Sequence, residues 1–446
     1  MAKKQILFEC QHCGFQSPKW LGRCPNCQEW ESLIELKSEQ IAYLKSSSTT
    51  SSNPSKAIPI TEVEHEEFLK FSSGESEFDL VLGGGIVEGG LYLIGGSPGV
   101  GKSTLLLKVS YNLAKNSKRV LYVSGEESAG QIKMRAERLG CIHPNLHLLN
   151  EINLSNIIEC AKNYEVCIID SIQTLFSDSI SSAPGSVSQV RESTFSLLRI
   201  AKDHNIAIFI IGHITKEGSI AGPRVLEHMV DSVLYFEGDP SREIRFLRGF
   251  KNRFGTTSEV GIFEMKENGL VSAKEISKLF FQSKKQMAGS ATTVILEGSR
   301  ALVLEVQALV SESSFGMPKR LATGFDLNRL NMLLALLEKK LDLPLNRYDV
   351  FVNISGGIKI NETGADLALI ASIISSFKNR PLSPHTAFIG EVTLIGDIRE
   401  AGNLDVRLRE LANYGFQKAI IAQKPSNPTP IKCYEIQEVT KLLDWM

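Results

Sequence analysis

The sequence predicts an α/β protein of more than one domain, and three observations carry that reading. Short apolar runs ("GLYLIGG", "RVLYVSGE", "EVCIID", "IAIFIIGH" and "SVLYFEG") alternate with helical stretches between about 60 and 275. That alternation is the mark of a parallel sheet covered on both faces. A second stretch of the same character runs from about 290 to the end. The chain's 446 residues also exceed what one ordinary core holds. The expected parts are a small cysteine-rich module (1–36), a Ser- and Thr-rich flexible linker (37–59), the first α/β domain (60–278) and a second (286–446). No internal repeat is visible.

Composition narrows the function classes. With 43% hydrophobic and 22% charged residues, the chain reads as a soluble globular protein. A net charge of −1 excludes a bulk polyanion binder. Any nucleic-acid contact must therefore come from local basic patches, or from loops that symmetry gathers. No apolar run approaches the roughly 18 residues that span a bilayer, and "MAKKQILFEC" offers no signal-peptide core. A reduced, cytoplasmic setting without membrane contact is the expectation.

In chain order, the first chemistry is "CQHCGFQSPKWLGRCPNC". It places Cys10 and Cys13 in one CxxC knuckle and Cys24 and Cys27 in another. Two such knuckles present four thiolates tetrahedrally, which suits a closed, structural Zn²⁺ site. A module this small lacks a core of its own, so the metal would supply its folding energy. Paired disulfides or a redox CxxC fit a cytosolic chain poorly. His12 reads as a solvent-facing neighbour, and Cys141, Cys160, Cys167 and Cys433 as scattered core or incidental thiols.

"LYLIGGSPGVGKSTLLLKVSYNLA" follows a strand and opens a helix. It fits the phosphate-binding loop Gly96, Ser97, Pro98, Gly99, Val100, Gly101, Lys102, Ser103, Thr104. The glycines let backbone N–H groups point inward at the phosphates of ATP. Lys102 would reach the β- and γ-phosphates, Ser103 would ligate Mg²⁺, and Thr104 would lie near the α-phosphate. Asp170, ending "EVCIID", would hold the same Mg²⁺ through water. Glu126 and Glu127 end the strand "RVLYVSGEES". One of them, Glu126 by preference, would polarise the attacking water; the alternative is an acid pair favouring the helix that follows. His213 ends "IAIFIIGH" as a γ-phosphate sensor or as a strand cap.

The order of these motifs, with "KNRFG" at 251–255 and "GEVTLIGDIREAG" near the end, resembles the RadA (Sms) family of bacterial DNA-repair proteins over essentially the whole chain. The resemblance implies a RecA-like P-loop ATPase core that assembles as a hexameric ring. It further implies action on single-stranded and branched DNA alongside RecA, by translocation and branch migration. It makes Lys251 and Arg253 a cationic element that completes a neighbouring subunit's nucleotide site or couples that site to DNA. Between Gly249 and Gly255 these cations read as an exposed tip with no internal partner; a merely solvated hairpin turn is the alternative. Lys216 and Arg224, in the stretch 214–231, and Arg191, in 182–192, become candidate DNA contacts on loops.

Residues from about 290 onward resemble the proteolytic domain of Lon. The nucleophile position falls on Gly364 and the activating lysine's position on Asp405, so the implied domain is Lon-protease-like but lacks the Ser/Lys dyad. Ser355, Ser372 and Ser375 are off-register. Lys319, Arg320 and Arg329 offer either DNA contacts or a solvated basic face. Two rival functions stay open at this point. One is an ATP-dependent Lon-type protease, which the missing dyad opposes. The other is a non-enzymatic nucleotide-gated scaffold, which the Glu126–Glu127 pair opposes.

Overall fold

The computed structural model describes residues 8–10, 16–25, 30, 33–35, 59, 61, 69–213, 225–238, 243–267, 269–273, 287–313, 318–425 and 427–445. The chain divides into two compact units, Met1–Ala273 and Lys274–Met446.

At the N-terminus, β1 (Phe8–Cys10), β2 (Gln16–Ser17) and β3 (Leu33–Glu35) pair antiparallel in the order β2-β1-β3. Their interior is Cys10, Cys24 and Leu33, with Phe8 packed against them. Such a core buries too little apolar area to stabilise a fold by itself.

Next come β4 (Lys70–Phe71), α1 (Ser76–Val81) and β5 (Ile86–Val87). The main sheet then opens with β6 (Leu91–Gly96), α2 (Lys102–Lys115) and β7 (Val120–Ser124). It continues through α3 (Ala129–Arg138), β8 (Leu146–Leu149), α4 (Leu154–Ala161) and β9 (Val166–Asp170). Then follow α5 (Val187–His204), β10 (Ala207–His213), α6 (Val225–Met229) and β11 (Ser232–Glu237). The antiparallel β12 (Ile244–Asn252), β13 (Val260–Lys266) and β14 (Gly269–Ser272) close the sheet.

The nine strands lie in the order β14-β13-β12-β11-β6-β10-β9-β7-β8. From β11 to β8 every pairing is parallel. Strands β6, β7 and β9 are buried along their whole length because helices cover both faces. Tyr92 and Ile94 face one core, built with α1, α2 and α3; Leu91 and Leu93 face the other, built with α4, α5 and α6. All six parallel strands therefore deliver their C-terminal ends to one edge, where an α/β sheet binds its ligand.

The second unit is also α/β. Its elements are β15 (Ser290–Glu297), β16 (Arg300–Glu312), β17 (Arg320–Thr323), α7 (Leu327–Leu341) and β18 (Tyr348–Ile354). Then come α8 (Asp366–Lys378), β19 (Thr386–Ile389), β20 (Glu391–Val392), β21 (Ile398–Arg399), α9 (Leu404–Asn413), β22 (Lys418–Ile421) and β23 (Lys432–Glu435). The mixed seven-stranded sheet has the order β17-β18-β16-β15-β19-β22-β23.

Here the structure corrects the expected basic face. Lys319 is exposed, but Arg320 donates to the carbonyls of Tyr348 and Leu345. Arg329 pairs with the fully buried Asp366 and donates to Val392 O at 2.8 Å. Both guanidiniums are tied into the fold, Arg320 by backbone carbonyls and Arg329 by a buried carboxylate that also accepts from Val392 N.

Gly364 sits buried in a short turn before α8. A Cβ there would stand 3.0 Å from Ala401 Cβ and 3.5 Å from both Arg407 Nη1 and Glu362 Oε1. Arg407, only 1% exposed, meets Glu362 through two bonds of 2.6 and 2.7 Å and also donates to Gly402 O and Val294 O. Asp405 is exposed on the first turn of α9. Ser372 and Ser375 donate to the carbonyls of Leu369 and Arg380.

Candidate active site

The phosphate-binding loop leaves the buried end of β6 and enters α2 with Gly101, at φ 111°, as N-cap. No side chain caps the first turn of α2, which leaves its N-terminal end suited to an anion. Gly96 is required by close approach: a Cβ there would stand 2.4 Å from Phe236 O on β11. Lys102 is 4% exposed, and its Nζ donates to Gly96 O (2.7 Å) and Ser97 O (3.1 Å). Burial lowers its pKa, while the nearby carboxylates of Asp170 and Glu126 work against that shift. Ser103 and Thr104 follow in the first turn, both half-buried.

Asp170 ends β9 at 6% exposure and accepts a 2.7 Å hydrogen bond from the Tyr122 hydroxyl. Burial, and then the charge of Asp170, push the Tyr122 phenol well above its usual range, so it stays a donor. Asp170 is in register with Ser124 at the end of β7, which places the Glu126–Glu127 turn beside it. The Asp170–Ser171 peptide is cis.

The two glutamates differ in their contacts. Glu127 is engaged by Arg135 on α3, whose Nη1 donates to Oε1 at 2.8 Å while Nη2 lies 2.8 Å from Oε2. Glu126 instead accepts from Ser171 Oγ at 2.5 Å, beside Asp170 and within electrostatic reach of Lys102. Neither glutamate caps α3, since Ser128 does so in a reciprocal pair with Gln131. His213 ends β10, whose backbone pairs it with Gly96.

Lys251 and Arg253 lie elsewhere. Strand β12 runs antiparallel to β11, so Lys251 pairs with Val233 and Asn252 with Ser232, whereas Gly96 pairs with Phe236. Four residues of strand, about 13 Å, separate the two levels. These cations therefore occupy the edge of the sheet opposite to their own phosphate loop. They also differ from the expected tip with unpartnered charges. Lys251 Nζ donates to the carbonyls of Glu227 (2.8 Å), Val230 (2.8 Å) and His228 (3.3 Å) at the end of α6. Burial, then the neighbouring Arg253, lower its pKa. Arg253 is 58% exposed, and its Nη1 lies 3.3 Å from Asp231 Oδ1. Asp231 also accepts from Lys202 Nζ (2.8 Å) and Leu91 N (3.0 Å).

Arg191 corrects a second expectation. It stands exposed on α5, not in a loop. The stretch before the helix is tied down by buried Gln189, whose Nε2 donates to the carbonyls of Ser177 (3.1 Å), Ile180 (3.1 Å) and Ser182 (3.0 Å). Lys216 and Arg224 lie outside the described residues, as do Cys13 and Cys27. The other two cysteines fit a metal site, for Cys10 and Cys24 converge in the centre of the small N-terminal core.

Sequence reasoning missed Tyr122, Ser171, Arg135, Asp231 and Lys202. Tyr122, Ser171, Arg135 and Asp231 are partners of recognised residues, and Lys202 is a partner of Asp231. Only the strand-end position of Ser171, next to Asp170, was a usable signal.

Residues 8–35 match the family model described as a rubredoxin metal binding domain, and residues 59–219 match that of the AAA domain. The DNA repair protein RadA of Helicobacter pylori (strain J99) is 68% identical over the full length of both chains. That of Campylobacter jejuni is 61% identical, again over both full lengths. The chain belongs to the RadA family. The Bacillus subtilis RadA is 48% identical over 94% of this chain and 93% of its own. As a RadA-family member with a RecA-like core behind a zinc ribbon, the protein is an ATP-hydrolysing enzyme. No described helix is long and apolar enough to cross a membrane.

Proposed function

We propose that this RadA-family protein is a cytoplasmic, DNA-dependent ATPase that works as a ring on recombination intermediates. Single-stranded and branched DNA are its substrates, branch migration is its output and RecA is its partner. The loop amides and Lys102 bind the triphosphate. Ser103 and Asp170 would hold Mg²⁺, with the Tyr122 hydroxyl fixing one carboxylate oxygen of Asp170 so that the other can face the metal's water shell. Bound Mg²⁺ neutralises phosphate charge. Glu126, steadied by Ser171, orients the attacking water. Cys10, Cys13, Cys24 and Cys27 would hold a structural Zn²⁺.

One observation carries the ring reading. Lys251 and Arg253 sit on the edge of the sheet opposite to their own phosphate loop, so the nucleotide they serve belongs to another copy. Loop on one edge and cation on the other make a head-to-tail contact, which closes into a ring when the rotation permits. Arg253, the more exposed of the two, is the better finger; Lys251 braces α6, which follows the stretch carrying Lys216 and Arg224. Arg191 and those two residues are the proposed DNA contacts, in a sequence-independent, salt-sensitive mode.

The test is subunit complementation. Lys102→Ala chains lack a working loop but keep Arg253, and Arg253→Ala chains are the reverse. Mixed with single-stranded DNA, the two should hydrolyse ATP faster than either alone. Absence of any recovery, in mixtures that co-assemble by mass measurement with nucleotide bound, would rule out completion in trans.

A further inference from the structure

A buried guanidinium lies beneath the phosphate loop and belongs to none of the motifs. Arg245, on β12, is 2% exposed and among the largest fully buried side chains of the described residues. Its Nε donates to Val100 O, in the crown of the loop, at 3.0 Å, and its Nη1 to Ile244 O at 2.9 Å. The path of this side chain is kept open by a glycine: a Cβ on Gly238 would stand 2.4 Å from Arg245 Cδ and 3.2 Å from Nε. Arg245 on β12 and Gly238, just past the end of β11, are thus shaped around one contact to the loop.

That contact fixes a direction. The peptide unit joining Val100 and Gly101 is planar, so its C=O and N–H point opposite ways. A donor that holds the Val100 carbonyl underneath the loop turns the Gly101 N–H to the other side, toward the cradle in which a phosphate lies. Lys102 cannot perform this task, because its ammonium is engaged with the carbonyls of Gly96 and Ser97 at the opposite limb of the loop. We propose that Arg245 is a positioning residue for nucleotide binding: it orients the Val100–Gly101 amide toward the triphosphate, and Gly238 serves to admit it. The proposal rests on nucleotide binding at the loop, and it is independent of whether the subunits form a ring.

The probe is a fluorescent ribose-labelled ATP with Mg²⁺, titrated into the full-length protein. Thermal midpoints are measured without nucleotide and kcat is measured separately. Arg245→Met keeps the stem and removes the donors. It should weaken the probe's Kd at least about tenfold while kcat at saturating ATP stays within about threefold, the pattern of lost ground-state binding. Arg245→Gln retains a neutral amide donor group and should recover most of the affinity. Gly238→Ala should reproduce the Met defect by displacing the side chain. The double variant Gly238→Ala/Arg245→Met should then be no worse than either single variant, since both remove one contact.

Three results overturn the proposal: an Arg245→Met protein that binds the probe within about twofold of wild type, a Gln variant as weak as Met, or additive losses in the double variant. Should Arg245→Met fail to fold, Arg245→Gln and Gly238→Ala decide it by the same criteria. If the wild type itself did not bind the probe, the nucleotide reading would fail instead, which is a distinct outcome.

Discussion

Each of the two units places a basic side chain near a glutamate beside a glycine turn, and the two arrangements differ in what they leave unspent. In the ATPase unit, Lys102 holds two loop carbonyls while Asp170 and Glu126 stand near it without an ion pair to it. In the second unit, Arg407 is saturated by both oxygens of Glu362 and two carbonyls, and Gly364 next to it has no side chain. A site that must exchange ligands keeps hydrogen-bonding capacity in reserve, whereas a scaffold consumes it. The turn at Gly364 is thus a brace, and the phosphate loop a receptor.

The sharpest way to break this comparison is Lys102→Ala. Steady-state phosphate release should fall by at least about a thousandfold, in line with removing a cation that acts on transferring phosphate. Full activity would refute the nucleotide assignment. Glu126→Gln should lose about a hundredfold or more in kcat while still binding ATP, as expected for a water-orienting base. Glu127→Gln should lose less than about tenfold, since Arg135 already occupies that carboxylate. Equal losses in the two variants would show that their separation carries no catalytic meaning.

On the other side of the comparison, Arg407→Ala strands Glu362 and the carbonyl acceptors. It should destabilise the second unit by about 3–5 kcal/mol, read as an earlier unfolding transition in urea. The smallest change is Gly364→Ser. It restores a hydroxyl at the aligned nucleophile position but not a neutral lysine, so ATP-dependent cleavage of casein should stay at background. Crowding against Ala401 should cost about 1–3 kcal/mol.

How much of this was legible in the sequence follows the same division. The phosphate loop was readable because glycine spacing, Lys102 and the strand-to-helix context are all local. The paired knuckles were readable for the same reason, and so was the parallel sheet. The state of Lys251 was not legible. Its acceptors are backbone carbonyls more than twenty positions upstream, and carbonyls leave no mark in a residue pattern. Asp231, twenty-two positions before Arg253, looked like any acid. Arg245 did leave a trace, for it alternates with Phe246 and Arg248 in "REIRFLRGF". Period two alone does not say which face is inside, so the pattern does not mark Arg245 as core-facing. Arg191 was misplaced because "SAPGSVSQ" has the composition of a loop, and the Gln189 bonds that order it run to backbone carbonyls, which leave no mark in a residue pattern.

The antiparallel run of β12 sets an accounting rule for any stack of these chains. Under the proposed head-to-tail completion, a file of n copies would contain n − 1 completed sites, with one idle receptor at one terminus and one idle cation at the other. Only closure abolishes both. Turnover per copy should therefore climb with protein concentration and then level off, without any change in the chemistry at an individual site.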